Sequence, residues 1–359
     1  MSVVIQSAKK ELDIAFVSEH CCIRVVKEAV ALRNLGHRVH VLTAEPNSYG
    51  VFSSVQVYKS PNQLETMALQ IAPTIDIWQV HNEPTWPVLL LREVLPKEAK
   101  ILLDAHDTNH WRIEDTVTLE ALTETVKWPV FDMTMLCVDG VVVPSKACAV
   151  DVAGRTQAPV VVVPSACPMS EYRYNDQSFM GGLCSQGGHV SPNEIIPGHP
   201  EHWRDYTRLF TDMRGKRQVY AYSPMFVMDG KSPIDLHYNS LGVRMGNMRY
   251  DQLIGHIGQH SWNLVGNLSD AMVWQFALPN KFFDACAAGL PSVSFGTPMA
   301  DEYIEGLGIG IVVKSVDELV ARWDECIEKR KNLMLRRREL AMERFIPDLV
   351  EFYRNVLAA

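Results

Sequence analysis

Apolar residues in the first half of the chain fall into short blocks, separated by segments with helical spacing. Ile14 to Val17 is the first block. The segment Arg24 to Leu35 follows, with Val25, Val26, Ala29, Val30 and Leu35 recurring along one helical face. Gly36 stands where a C′ glycine ends a helix. His37 to Leu42 then reads as a strand, and further short apolar blocks lie at Ile75–Val80, Lys100–Leu103, Val141–Val143 and Val160–Val163. Strands buried on both faces have this composition, and helices between them imply parallel crossovers.

A break follows. The prolines of Pro164-Ser165-Ala166-Cys167-Pro168 and the polar stretch Glu171 to Gln177 predict an inter-domain linker. The pattern restarts with a strand at Phe179–Leu183, then a Gly/Pro-rich loop through Pro200 and a helix from about His202. Strands are predicted at Gln218–Tyr222, Ser261–Gly266, Ser292–Phe295 and Gly310–Val313, with a helix opening at Asn280. The stretch Val316 to Leu357 reads as helical, with an interruption expected at Pro347. The fold class expected is therefore α/β, two facing Rossmann-like domains with a C-terminal helical segment. Residues 1–168 form the first domain and 169–340 the second, and 341–359 form a helix packing back on the first. Doubly wound sheets bind ligands at the carboxyl ends of their strands, so the pattern points to a site before it points to a chemistry.

Bulk composition narrows the function classes. A length of 359 residues suits two domains, and 47% hydrophobic with 21% charged residues is an ordinary globular balance. The net charge of −8 gives no global attraction to nucleic acid or anionic lipid. Eight cysteines are present without a C-x-x-C pair, and Cys21 and Cys22 are adjacent, a poor start for a disulfide framework. No charged-then-apolar leader and no apolar run near the roughly 18 residues of a membrane span is found. The expectation is a reduced, cytoplasmic protein without a transmembrane segment. His81, His106 and His110 lack metal-ligand spacing, so no metal site is expected.

The segment from Ala277 to Pro291, ALPNKFFDACAAGLP, resembles the donor-site segment of the family-four retaining glycosyltransferases. In those enzymes a P-N-K-x-F-[ED] start leads into a small-residue helix and an A-G-x-P turn. Asp301 to Glu305 and Gly308 to Val313 are similar to the family's next helix and strand, as are Tyr250–Ile254 and Ser261–Gly266 upstream. Gly181-Gly182-Leu183 resembles the glycine turn after the first strand of the second domain. First-half matches are looser: Ile23-Arg24-Val25, Asp76 to Asn82, Asp104-Ala105-His106-Asp107 and Val143-Pro144-Ser145. Gaps fall near 45–75, 110–135 and 184–240. The resemblance implies the GT-B architecture, a nucleotide-sugar co-substrate, no cofactor and no metal, and transfer with retention of configuration. The donor base, the sugar and the acceptor (carbohydrate, lipid-linked, small molecule or nucleic acid) stay open.

Chemistry attaches to particular residues. Asn280, after Pro279, reads as an N-cap, and the helix behind it would present N–H groups and a positive dipole end to a diphosphate. Lys281 adds a cation there. Asp284, where the family usually has Glu, is expected to accept hydrogen bonds from the ribose hydroxyls. Eight positions earlier, where many relatives carry an acidic residue, this chain has Phe276. Gly181 and Gly182 permit close backbone approach to phosphate. The loop that follows is either a cover over the donor or an unstructured insertion. Arg204 and Arg208, a turn apart, either reach the diphosphate or face solvent.

In the first half, His106 is the catalytic candidate. It is expected to project from a strand end into the cleft between the domains as a neutral imidazole, its second nitrogen held by Asp107. Glu19, His20, Arg24, His81 and Asp107 are the acceptor-side candidates. The basic run Lys329-Arg330-Lys331 with Arg336-Arg337-Arg338 reads as a solvated helix face with Glu325, Glu328, Glu339 and Glu343 as partners. A membrane or nucleic-acid surface is the alternative for it. Three function readings remain: a sugar-nucleotide-dependent transferase, a nucleic-acid-modifying transferase or epimerase on the same fold, and a catalytically silent sugar-nucleotide-binding protein. A nicotinamide dehydrogenase is disfavoured, because Ser18-Glu19-His20-Cys21-Cys22 stands where a G-x-G-x-x-G turn would.

Overall fold

A computed structural model describes residues 11–46, 49–106, 127–173, 180–191, 202–269 and 271–359. They form two compact units. The first holds the described residues up to Pro164 together with Phe345–Ala359; the second holds those from Ser165 to Arg344.

The first unit is built on seven parallel strands: β1 (Asp13–Ser18), β2 (Arg38–Thr43), β3 (Ser54–Val57), β4 (Ile77–His81), β5 (Lys100–Asp104), β6 (Gly140–Val143) and β7 (Val160–Val162). Their order is β3-β2-β1-β4-β5-β6-β7, with Ile14 beside both Val39 and Ile77. The sequence order reverses between β1 and β4, and that is the topological switch point where doubly wound sheets bind ligands. β1, β4 and β6 are buried along their whole length, as continuous apolar runs predict. The Ile23–Asn34 helix ends as expected: Leu35 is the C-cap and Gly36 follows at φ +90°.

The second unit repeats the plan with six parallel strands: β8 (Leu183–Gln186), β9 (Val219–Tyr222), β10 (Arg244–Gly246), β11 (Trp262–Gly266), β12 (Ser292–Phe295) and β13 (Gly310–Val312). The order is β10-β9-β8-β11-β12-β13, so its switch point lies between β8 and β11. Trp262, Tyr206, Phe210, Phe226 and Tyr238 dominate the core on this sheet.

Three expectations are corrected. The first strand of the second unit starts at Leu183, four residues after the predicted start at Phe179. Gly181 and Gly182 therefore precede β8, at its amino end, and do not form the turn that follows it. Gly182, at φ +82°, is required by packing: a Cβ there would lie 2.6 Å from the Tyr220 ring. The helix Met342–Ala358 runs through Pro347 instead of breaking at it.

Candidate functional site

In the second unit, side chains from three elements converge at the carboxyl end of β8. Gln186, its last residue, donates from Nε2 to Asn263 Oδ1 and to the Lys281 carbonyl, both at 3.0 Å. Asn263, on β11, donates to the same carbonyl at 3.3 Å and to Ser292 Oγ at 3.1 Å. These bonds fix the start of the Asn280–Ala287 helix at the switch point. Pro279, not Asn280, is the N-cap, and it makes no side-chain capping bond. Asn280 is the first helical residue, so its carboxamide does not have the capping role the sequence suggested.

Two cations accompany that helix end. Lys281 Nζ donates to the Tyr206 hydroxyl at 2.8 Å and lies 5.8 Å from the centre of the Trp274 ring. The Arg204 guanidinium stacks 4.5 Å from the Trp203 ring centre, and a Cβ on Gly188 would come within 3.0 Å of its Nη1. Arg204 thus packs on Gly188, in the glycine turn that does follow β8. Trp203 and Trp274 meet edge to face at 5.5 Å. His189, whose ring packs among Tyr206, Phe210, Phe226 and Tyr238, is pushed down to about 3 by burial first, then by Lys281 and Arg204. Its ring stays neutral, bonded to Ser185 Oγ at 2.9 Å. Gln186 Oε1, Trp203 Nε1 and Trp274 Nε1 are buried here without a protein partner.

The other donor-side candidates are placed differently. Arg208 lies in the Thr207–Met213 helix, separate from the short turn that carries Arg204, and is exposed. Asp284 is 5% exposed, and its Oδ1 accepts from Cys167 Sγ at 3.2 Å and the Tyr250 hydroxyl at 3.3 Å. The same hydroxyl lies 2.8 Å from Glu171 Oε2. Burial, then Asp284, Cys167 and Glu171, hold the Tyr250 phenol well above its ordinary value, so it is a permanent donor. Phe276 ends the short Val273–Phe276 helix and is half-buried.

In the first unit, a buried network surrounds Asp104, the last residue of β5. Arg24 reaches it with Nε at 2.8 Å and Nη2 at 2.9 Å, contacts Glu28 at 3.0 Å and donates to the Val163 carbonyl at 2.7 Å. His81 Nδ1 lies 2.8 Å from Asp104 Oδ2, and Gln79 links His81 to Glu28. Burial opposes ionisation of Asp104, but Arg24 and then His106 hold its carboxyl well below the usual range. Burial keeps His81 below its ordinary value. The side chains of Arg24 and His81 are wholly buried. Both of these acceptor-side candidates are bonded to Asp104.

His106 stands two residues beyond β5, 8% exposed, with Nδ1 3.3 Å from Asp104 Oδ2 in an ion-pair contact. Nε2 lies 3.3 Å from Cys22 Sγ. Burial favours the neutral ring, yet Asp104 and then Cys22 raise it to about 9, so it carries a proton at neutral pH. The expected neutral imidazole is corrected accordingly. Its carboxylate partner is Asp104; Asp107 lies outside the described residues, as do His110 and 192–200. Glu19 accepts from Trp86 Nε1 at 3.3 Å, and the exposed His20 meets Glu45 at 3.1 Å. His81, Asp104 and His106 offer potential ligand atoms within 4.8 Å of one another. The guanidinium already bound to Asp104 disfavours a further cation there.

The basic run is structural in part. Arg330 donates to the carbonyls of Gly258 (2.7 Å) and His260, and Arg337 to those of Arg173 and Ala287 at 3.1 and 3.2 Å. Arg336 faces Glu339. The sequence reading missed Cys22, Tyr206, Gln186, Asn263 and the role of Asp104. Only the Asp104-to-Asp107 motif carried a signal for any of them, since the others become partners through chain crossings.

No protein-family model matches the sequence, and no curated protein matches it. Solved structures do. The sucrose-phosphate synthase of Thermosynechococcus elongatus is 12% identical with a TM-score of 0.70, over 97% of this chain and 99% of that one. An alpha-glucosyltransferase in complex with UDP-glucose and DNA containing an abasic site is 13% identical, TM-score 0.58, over 94% and 95%. A glycosyltransferase involved in lipopolysaccharide biosynthesis is 12% identical, TM-score 0.58, over 95% and 99%. With its two parallel Rossmann-like sheets and C-terminal helical segment, the chain has the GT-B fold of these glycosyltransferases.

Proposed function

We propose that this chain is a glycosyltransferase that takes a sugar from a nucleotide-diphosphate donor held by its second unit. One observation carries the reading: a helix N-terminus, Lys281 and Arg204 gather at the carboxyl end of β8. A diphosphate requires N–H donors and positive potential at one point, and this arrangement supplies both. Burial first, then Lys281 and Arg204, keep the adjacent His189 neutral, so it adds no charge of its own to this point. Trp203, Trp274 and Gln186 leave buried polar atoms for a ligand or water. The uridine nucleotide sugar in the alpha-glucosyltransferase complex supports this donor class, and its DNA keeps nucleic acid among the acceptor classes.

Two cations and a helix end can carry the diphosphate charge, so we infer that transfer needs no metal. Retention follows if the departing diphosphate deprotonates the acceptor on the face it leaves, with positioning and charge stabilisation as the protein's contribution. His106 remains the candidate for a role in turnover. All eight cysteines are free, which fits a reducing compartment, and we place the protein in the cytoplasm on that basis. Phe276 favours one second reading, a protein that binds the nucleotide sugar without turning it over.

Thermal unfolding with nucleoside diphosphates and nucleotide sugars tests the proposal. Ligand at about 100 times its Kd adds about 2.7 kcal/mol. A stabilising diphosphate whose effect vanishes in Lys281→Ala is the expected result. If no nucleotide shifts the transition, the donor assignment fails; binding without transfer in a broad acceptor screen selects the silent reading.

A further inference from the structure

The loop after β1 folds tightly, with Ser18 Oγ and the Cys22 N–H both donating to the His20 carbonyl at 2.7 Å. It leaves Cys22 as the N-cap of the twelve-residue Ile23–Asn34 helix. Cys22 Sγ lies 3.3 Å from His106 Nε2, and on the other side of the ring His106 Nδ1 lies 3.3 Å from Asp104 Oδ2. Arg24 locks Asp104 from behind. A thiol, an imidazole and an orienting carboxylate in this order form the arrangement that activates a nucleophile.

We propose that Cys22, His106 and Asp104 form a nucleophilic thiol site whose substrates are small peroxides and whose product is a sulfenic acid on Cys22. The inference needs no sugar chemistry and stands apart from the donor reading. Three features select Cys22. Its sulfur sits at a helix N-terminus, where N–H groups and the dipole favour an anion. A fixed cation lies against it. It is partly exposed, whereas Cys148, Cys167, Cys184, Cys286 and Cys326 are buried. Burial by itself would raise the Cys22 thiol; His106, then the N–H groups of Val25 and Arg24, bring it below its ordinary value. Burial pushes Cys148 the other way, to about 12. The half-buried setting admits a peroxide more readily than a bulky electrophile.

The step balances. The Cys22 thiolate attacks one oxygen of hydrogen peroxide and forms an S–O bond as the O–O bond breaks. The electron pair leaves on the second oxygen, which takes the proton from His106 Nε2 and departs as water. Sulfur is oxidised by two electrons, the peroxide is reduced, and His106 is left neutral.

The test uses the reduced full-length protein, hydrogen peroxide and dimedone as the sulfenic-acid trap, read by peptide mass spectrometry with fragmentation to separate Cys21 from Cys22. Cys137, also partly exposed, is the internal control. Labelling at Cys22 is expected to be at least about ten-fold faster than at Cys137, and His106→Gln is expected to remove most of that advantage. The proposal is overturned if Cys22 labels no faster than Cys137. It is equally overturned if His106→Gln leaves the Cys22 rate unchanged. Should that variant fail to fold, the wild-type comparison decides.

Discussion

The Arg24 guanidinium holds both carboxylate oxygens of Asp104, with Nε 2.8 Å from Oδ2 and Nη2 2.9 Å from Oδ1, and neither side chain reaches solvent. That pair anchors the carboxyl end of β5, because His81 is bonded to the same Asp104 oxygen that His106 Nδ1 approaches at 3.3 Å. Replacing Arg24 with Met would strand a buried charge. The expected loss is about 3–5 kcal/mol, measured by urea unfolding. A loss within the ~0.5 kcal/mol typical of surface substitutions would show that the pair is not the anchor.

Lys281 is predicted to act on ligand rather than on folding. Its ammonium rests on the Tyr206 hydroxyl and is partly exposed, so Lys281→Met should leave the unfolding transition nearly unchanged. A charge-assisted bond worth about 1.5–3 kcal/mol corresponds to a roughly ten- to hundred-fold weaker nucleoside diphosphate affinity by calorimetry. Equal affinity in the variant would move the diphosphate elsewhere.

What the sequence made legible follows from burial. Strands covered on both faces, such as β4 and β11, are short apolar runs that any pattern reading finds. β3 and β10 escaped it because both are short edge strands, with Val55 and Arg244 exposed. The 277–291 motif located the helix at the switch point, but its cap was misassigned by one residue, since Pro279 already has the extended backbone of an N-cap. The state of His106 was beyond sequence reasoning altogether. It depends on Cys22, 84 residues away, and on a carboxylate that is ionised only because Arg24 reaches it from another element.

Asp284 and His106 should fail in different ways. Asp284→Ala removes an acceptor from Cys167 and Tyr250 as well as any contact to a nucleotide ribose, so it should weaken nucleotide affinity and stability together. Tyr250→Phe separates the two effects, because it deletes the internal donor and leaves the carboxylate. His106→Ala should keep nucleoside diphosphate affinity and lose turnover. Retained affinity in Asp284→Ala beside lost affinity in His106→Ala would invert that assignment.

Chelation provides an independent check on how the diphosphate charge is carried. With Lys281, Arg204 and the helix N-terminus in that role, transfer after exhaustive treatment with a chelator should proceed at nearly the untreated rate. Complete loss, restored by magnesium or manganese, would require a different phosphate-binding scheme.

Acid sensitivity should trace to two buried neutral histidines in the second unit. Burial, with Lys281 and Arg204, lowers His189 to about 3; burial, against the hydrogen bond to the Gly181 carbonyl, lowers His260 to about 4. Both lie below the unfolded value near 6.5. The unfolded chain therefore takes up protons first as pH falls. The stability each neutral ring contributes is complete above about pH 6.5 and is lost progressively as pH drops towards the folded value. The slope is at most about 1.4 kcal/mol per pH unit for each ring. Glu28, raised to about 7 by burial with the nearby Asp104 adding to it, titrates over the same range in the opposite sense, so the wild-type profile alone mixes the two. The difference between wild type and His189→Gln removes that contribution. Urea unfolding from about pH 7.5 to about pH 5 should show a shallower acid slope in the variant, whatever its absolute stability, which also loses the bond to Ser185. Parallel profiles would mean that His189 takes up its proton over the same pH range folded as unfolded, and the positive potential inferred at the end of β8 would have to be abandoned.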